Sequence, residues 1–173
     1  MYLTTLRDRG RNRLAVSIVI ALVGVLPPTG AFAAPQSTAK SQQVIQASQL
    51  HPQVVIPGDI LNVSLRTGQT EVVLVGPATP PVIADAVPGT FTFNFVQKSG
   101  ATVINVRDFG ILDGSAALIR PVKFNDGSTS FTLKTGQRRT VKITAFMASG
   151  TGTLRWAPLN HYVADWQFVQ ETD

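Results

Sequence analysis

The densest chemistry in this chain lies near its end, in Arg155-Trp156-Ala157-Pro158-Leu159-Asn160-His161-Tyr162, followed by Asp165-Trp166. Aromatic rings beside an amide and an imidazole suit stacking on a sugar or docking on a protein, because each ring combines apolar area with a polar handle. The segment joins the last two expected strands, so its tip is exposed while its ends are fixed, and Pro158 limits the entropy lost on binding. Trp156, Asn160, His161 and Tyr162 are therefore the candidate contact surface. Two aromatic residues have competing assignments. Tyr162 and Trp166 alternate with Ala164 and Phe168 on one face, which assigns Trp166 to the core. Trp156 shares a face with Leu154 while Arg155 points the other way, and it stays open between core and contact.

Other chemistries find little support. The chain has two histidines, His51 and His161, no cysteine, and no His-x-His or His-x-x-x-His spacing that would hold a transition metal. Asp108 and Asp113 flank Phe109-Gly110-Ile111-Leu112 and Asp126 sits in a turn, but none matches the alternating oxygen ligands of a calcium loop. Asp85 with Asp165, or Asp108 with Asp113, can be written as the paired carboxylates of a glycoside hydrolase, though nine acids in the body yield pairs by number alone. There is no Gly-x-Ser-x-Gly elbow, and His161 is the sole base a nucleophile could use. The expectation is a non-enzyme, with no catalytic, cofactor or metal residues.

The N-terminus carries an address. Arg7, Arg9, Arg11 and Arg13 precede an apolar run from Leu14 to Leu26, and Ala31-Phe32-Ala33 ends it, which are the three parts of a secretory signal peptide. Cleavage is expected after Ala33, giving a leader of 1–33 and a protein that is secreted, or associated with the cell wall. Leu14–Leu26 is too short to span a bilayer comfortably, so no stable membrane insertion is expected after cleavage. Without the leader, the formal net charge of +5 falls to +2, eleven basic residues against nine acidic. The basic residues stand singly except Arg138-Arg139, so no stripe exists to neutralise a row of phosphates, and nucleic acid is excluded as a partner. Export offers oxidising conditions that a cysteine-free chain does not use.

The elements that must position any site read as β throughout. Residues 34–51 are rich in Gln, Ser, Ala and Thr and read as a flexible N-terminal segment or a loosely held first strand. From Pro52 onward, period-two alternation recurs between Gly, Pro, Asn and Asp signals. Leu61, Val63 and Leu65 form one apolar face, as do Phe91, Phe93 and Phe95, Phe131 and Leu133, and Val141, Ile143, Ala145 and Met147. Asn125-Asp126-Gly127-Ser128, Lys98-Ser99-Gly100 and Ser149-Gly150-Thr151-Gly152 supply turns. Pro121 marks an edge or bulged strand, since proline cannot donate to a ladder. Pro-rich Gly76–Gly89 reads as a crossover between two sheets.

Leu65-Arg66-Thr67-Gly68-Gln69 is echoed by Leu133-Lys134-Thr135-Gly136-Gln137, which suggests two similar hairpins. The second copy, leading into Thr140–Ala145, and Pro57-Gly58-Asp59 before Leu61–Leu65, resemble the turns of secreted bacterial immunoglobulin-like and fibronectin-like domains. The resemblance covers roughly 54–169 and implies a single antiparallel β-sandwich of seven to ten strands over 52–173, without the cysteine pair of antibody domains. The leading functional expectation is a secreted, non-catalytic binding or interaction module at the cell surface, with an envelope protein or polysaccharide as partner. A structural subunit of a surface assembly, donating its Gln-rich N-terminal segment as a strand, is second, and a secreted hydrolase is third.

Overall fold

A computed structural model describes residues 43–79 and 86–171. The leader and its cleavage site, and Asp85, lie outside the described residues. The chain is all-β, built as two sheets packed face to face. One sheet contains β1 (Val44–Ser48), β3 (Ile60–Leu65), β4 (Gly68–Ala78), β5 (Ala86–Asn105), β8 (Ser130–Lys134) and β9 (Arg138–Ala148). Its order is β1-β3-β4-β5, with β8 and β9 lying end to end along the far side of β5. The second sheet contains β2 (Gln53–Val55), β6 (Phe109–Leu112), β7 (Leu118–Ile119), β10 (Gly150–Trp156) and β11 (Ala164–Gln170), in the order β2-β11-β10-β6-β7. The eleven strands among the described residues exceed the seven to ten expected because the edge strands β2 and β7 are only three and two residues long.

The alternation writes the core directly. Leu61, Val63, Phe91, Phe93, Phe95, Phe131, Leu133, Val141, Ile143, Ala145 and Met147 are all buried, facing Ile111, Leu154, Trp156, Trp166 and Phe168 of the opposite sheet. Phe93 meets Trp166 edge-on at 5.9 Å between ring centres, an arrangement the ring quadrupoles favour. The antiparallel expectation holds except at two edges: β1 pairs parallel with β3, and β2 pairs parallel with β11. Val44–Ser48 is thus a strand, and the described sandwich begins before Pro52. Only the N-terminal part of 34–51 lies outside the described residues.

Three turn expectations change. Gly76–Gly89 is not a crossover: β4 and β5, which it joins, pair antiparallel in one sheet, and its described ends belong to those strands. Pro77 falls where the register slips between Val75 and Ala78, the kind of irregularity a ladder needs at proline. The chain crosses between sheets instead from β1 to β2, β2 to β3, β5 to β6, β7 to β8 and β9 to β10, using the short 3-10 turn Val106–Asp108 for the third and Ser149, followed by Gly150 at a φ of 117°, for the last.

Lys98-Ser99-Gly100 does not end a strand, because β5 runs through it for 20 residues. Gly100, with a φ of 69°, bends the strand where the Thr67 carbonyl crowds it, so a side chain there would collide. The two echoed turns converge on this bend. Ala101 donates its N–H to Thr67 O at 3.0 Å, and Thr135 donates to Gly100 O at 3.0 Å. The first echo closes the β3–β4 hairpin, whereas the second connects β8 to β9 without pairing them, because Gly136 and Gln137 bond to Gln97 of β5. Beneath the bend, buried Gln97 donates to Thr102 Oγ1 at 2.9 Å and accepts from Thr70 Oγ1 at 2.7 Å, so the polar groups enclosed there are paired.

The Asn125–Ser128 turn forms as expected, with Gly127 at a φ of 84°. Pro121 follows the edge strand β7, where it removes no ladder bond. Asp126 accepts from the Ser128 hydroxyl and backbone N–H and from Arg139, which together hold its carboxyl down at about 2. A depressed native value stabilises the fold fully above the unfolded value of 3.8, and that contribution disappears as pH falls toward about 2. Asp126→Asn should therefore flatten the thermal-stability profile over that acid window and leave its shape above pH 5 unchanged. Superimposable acid limbs for the two proteins would contradict this.

Candidate functional site

The outer face of the second sheet is hollowed around Gly110, and register explains why. Antiparallel pairing sets Asp165 of β11 beside Arg155 of β10, and Arg155 beside Gly110 of β6. The β6–β7 pairing ends at Ile111 opposite Ile119, and Arg120, the next residue after β7, lines the same cleft as Gly110. Two arginines therefore border a residue with no side chain. The next row holds Thr153, Leu112 and Leu118, so an apolar strip borders the charged row. Together these residues form a cleft of about 480 Å³, within the range of roughly 300–1,000 Å³ typical of small-ligand sites. The far end is closed by Arg107 and Asp108 of the 3-10 turn and by Asn160.

Each arm is held differently. Arg155 donates from Nε to Asp165 Oδ1 at 2.9 Å and from Nη2 to Oδ2 at 2.8 Å, a bidentate fork, and its guanidinium lies 4.8 Å from the centre of the Tyr162 ring. The pair raises the Arg155 pKa further, and burial followed by the Asp165 charge raises that of the Tyr162 hydroxyl. Arg107 and Arg120 are exposed and make no ion pair among the described residues. Asp108 is half-buried, and desolvation raises its pKa, although the backbone N–H groups of Asn105 and Leu159 pull the other way. Its backbone carbonyl accepts from Ala157 N–H at 2.8 Å, which ties the 3-10 turn to the end of β10.

The loop between β10 and β11 borders this end through Ala157 and Asn160, and Leu159 and Asn160 have φ values of 54° and 64°, in the left-handed region that non-glycine residues rarely occupy. Asn160 donates its N–H to Ala157 O and His161 donates to Pro158 O, so the tip is a tight 3-10 turn.

The four sequence-derived contact residues separate in space. Trp156 is corrected to the core: it is 0% exposed, stacked on Phe109 at 6.0 Å and 9° between planes, because position 156 alternates inward with Leu154. Tyr162 precedes β11, so the buried alternation does not extend back to it. It is half-buried, supports Arg155, and donates its hydroxyl to Gln53 O at 3.3 Å. Asn160 alone of the four lines the cleft, and His161 is exposed outside the lining. Arg107, Gly110 and Arg120 were not singled out by the sequence, where the basic residues look scattered. The one legible signal was the alternation that puts Arg155 and Asp165 on outward faces of adjacent strands.

The remaining candidates are also placed. Asp108 and Asp113 lie at opposite ends of β6, about 16 Å apart along a strand at roughly 3.3 Å per residue, too far for a glycosidase pair. Asp113 serves a turn. Among the described residues, no three His, Asp or Glu side chains are grouped so as to hold a metal ion, and no helix is long and apolar enough to cross a membrane.

No protein-family model matches the chain, and no curated protein matches it. Among solved structures it is similar to the yjhA protein from Bacillus subtilis, at 15% identity and a TM-score of 0.42, covering 65% of this chain and 98% of that one. It is also similar to MPT63, a secreted protein from Mycobacterium tuberculosis, at 16% identity and a TM-score of 0.47, covering 68% of this chain and 98% of that one.

Proposed function

We propose that this chain is an extracellular, non-catalytic β-sandwich binding module whose binding surface is the cleft over Gly110. The observation that carries the reading is the cleft lining itself, in which Arg155, paired with Gly110 in the ladder, and Arg120, just past the end of β7, both border that glycine. The basic, apolar and small-residue parts of the leader support export. A non-catalytic role is supported by the state of the cleft's acids. Both Asp165 oxygens are engaged by Arg155, which leaves Asp108 as the one carboxylate in the lining without an ion pair, where paired-acid hydrolysis requires two. Assembly through a donated N-terminal strand is less well supported, since Val44–Ser48 already pairs with β3 of its own chain.

The test uses Gly110→Val. A Cβ at Gly110 meets only Leu118 Cδ1, at 3.5 Å, so the variant fits the fold while its branches fill the cleft floor. Immobilised wild-type protein should retain a component of the producing organism's envelope that Gly110→Val, at matched thermal stability, loses. Equal retention by both proteins would remove the cleft as the binding surface.

A further inference from the structure

The cleft's lining specifies a ligand class, and we infer that it takes a small organic acid: one carboxylate held over Gly110 between Arg155 and Arg120, with a compact apolar body on Leu112 and Leu118. This rests on the cleft being the binding surface. The backbones of β10 and β7 lie two strand spacings apart across Gly110, about 10 Å, so two arginine side chains can reach an anion above the glycine, beside the Leu118 Cδ1 that lies 3.5 Å from where a Cβ at Gly110 would stand. Guanidinium N–H groups match the planar oxygens of a carboxylate, and charge-assisted bonds of this kind are among the stronger polar contacts.

The two arms differ in a way that suits recognition. Arg155 is preorganised by Asp165 and the Tyr162 ring, and its fork to Asp165 leaves further N–H groups of the guanidinium for a ligand. Arg120, exposed and, like Arg107, without an ion pair among the described residues, supplies a positive charge for an anion to meet.

Charge also selects among anions. The lining holds Arg107, Arg120 and Arg155 against Asp108 and Asp165, a net charge of +1 when all are ionised. A monoanion matches that balance, whereas a phosphate dianion would add a second charge facing two carboxylates. The body is specified by the neighbouring row: Leu112 is 43% and Leu118 59% exposed, so both have apolar area for a ligand to cover. A carboxylate without an apolar body would leave that strip in water. A polar ring would cover it without the same gain.

Titration calorimetry on the folded protein provides the test, with benzoate and hexanoate as probes. Benzamide is the neutral isostere, acetate the acid without a body, phenyl phosphate the dianion and glucuronate the acid on a polar ring. Benzoate or hexanoate should bind saturably, and benzamide and acetate at least about tenfold more weakly. Arg120→Gln, an exposed substitution, should weaken the acid about tenfold or more at unchanged thermal stability, and leave benzamide unaffected.

Benzamide matching benzoate, or Arg120→Gln binding like wild type, would overturn the carboxylate. Phenyl phosphate or glucuronate binding more tightly than benzoate would overturn the monoanion or the apolar body, respectively. Failure of both acids to bind would overturn the inference outright. An envelope component lost with Gly110→Val but retained by Arg120→Gln would leave the cleft as the binding surface and remove only its assignment to an acid.

Discussion

Trp156→Ala should destabilise the protein by about 3–5 kcal/mol, the range for deleting a large buried aromatic side chain. The indole is 0% exposed and sits at the junction of the sheets, stacked on Phe109 and edge-on to Phe95 at 5.8 Å. Its removal leaves a cavity that β10 cannot close, because the ladders to β6 and β11 fix the strand on both sides. Trp156→Phe should cost less, since it keeps a ring against Phe109. His161→Ala, on an exposed residue five positions later, should stay within about 0.5 kcal/mol of wild type. Denaturant unfolding followed by tryptophan fluorescence, with Trp166 present in every variant, measures all three. A Trp156→Ala protein as stable as wild type would return that residue to the surface.

The second large effect is expected at Asp113, a carboxylate serving both sheets. Its Oδ1 accepts from the Ser115 N–H at 3.0 Å, the Ser115 hydroxyl at 2.8 Å and the Ala117 N–H at 3.0 Å, which shapes the turn from β6 to β7. Its Oδ2 accepts from the Ala148 N–H at 2.9 Å, at the end of β9 in the other sheet. Asp113→Ala removes all four bonds and should cost about 2–4 kcal/mol, given about 1.5–3 for a single hydrogen bond to a charged group and incomplete additivity. Asp113→Asn retains one acceptor oxygen and should fall between.

The Ala148 N–H, then the Ser115 hydroxyl and the Ala117 and Ser115 N–H groups, hold the Asp113 carboxyl below its usual range against the opposing effect of desolvation. This stabilisation is complete above the unfolded value near 3.8 and is lost as pH falls through the native one. The gap between wild type and Asp113→Ala should therefore narrow in acid. A gap that stays constant from pH 6 to pH 2 would show that the charge of Asp113 is not what stabilises the turn.

The core was legible because burial of one sheet face imposes a period of two. Phe91, Phe93 and Phe95 required nothing but their own spacing, and so did Val141, Ile143, Ala145 and Met147. Turn chemistry was legible only where the turn is local, as at Asp126-Gly127. At Gly100 the same residue types mark a bend inside one long strand, because the feature that decides between bend and hairpin is the distant pair of loops at Thr67 and Thr135. The cleft was hidden for a related reason. Arg155, Gly110 and Arg120 become neighbours through the register of three strands, and pairing across a sheet leaves no mark in the spacing of residues along the chain. Trp156 shows the limit in the other direction: the sequence placed it beside exposed Asn160 and His161, while a single alternation step turned it inward.

The parallel pairing of β2 with β11 also has a kinetic consequence. One of the earliest strands completes its sheet only with the last, and Tyr162 bonds to Gln53 across 109 positions of sequence. Closing so long a loop costs entropy before any contact compensates for it, and topologies dominated by distant pairings fold slowly. The second sheet therefore stays incomplete until the C-terminal strand is available to pair.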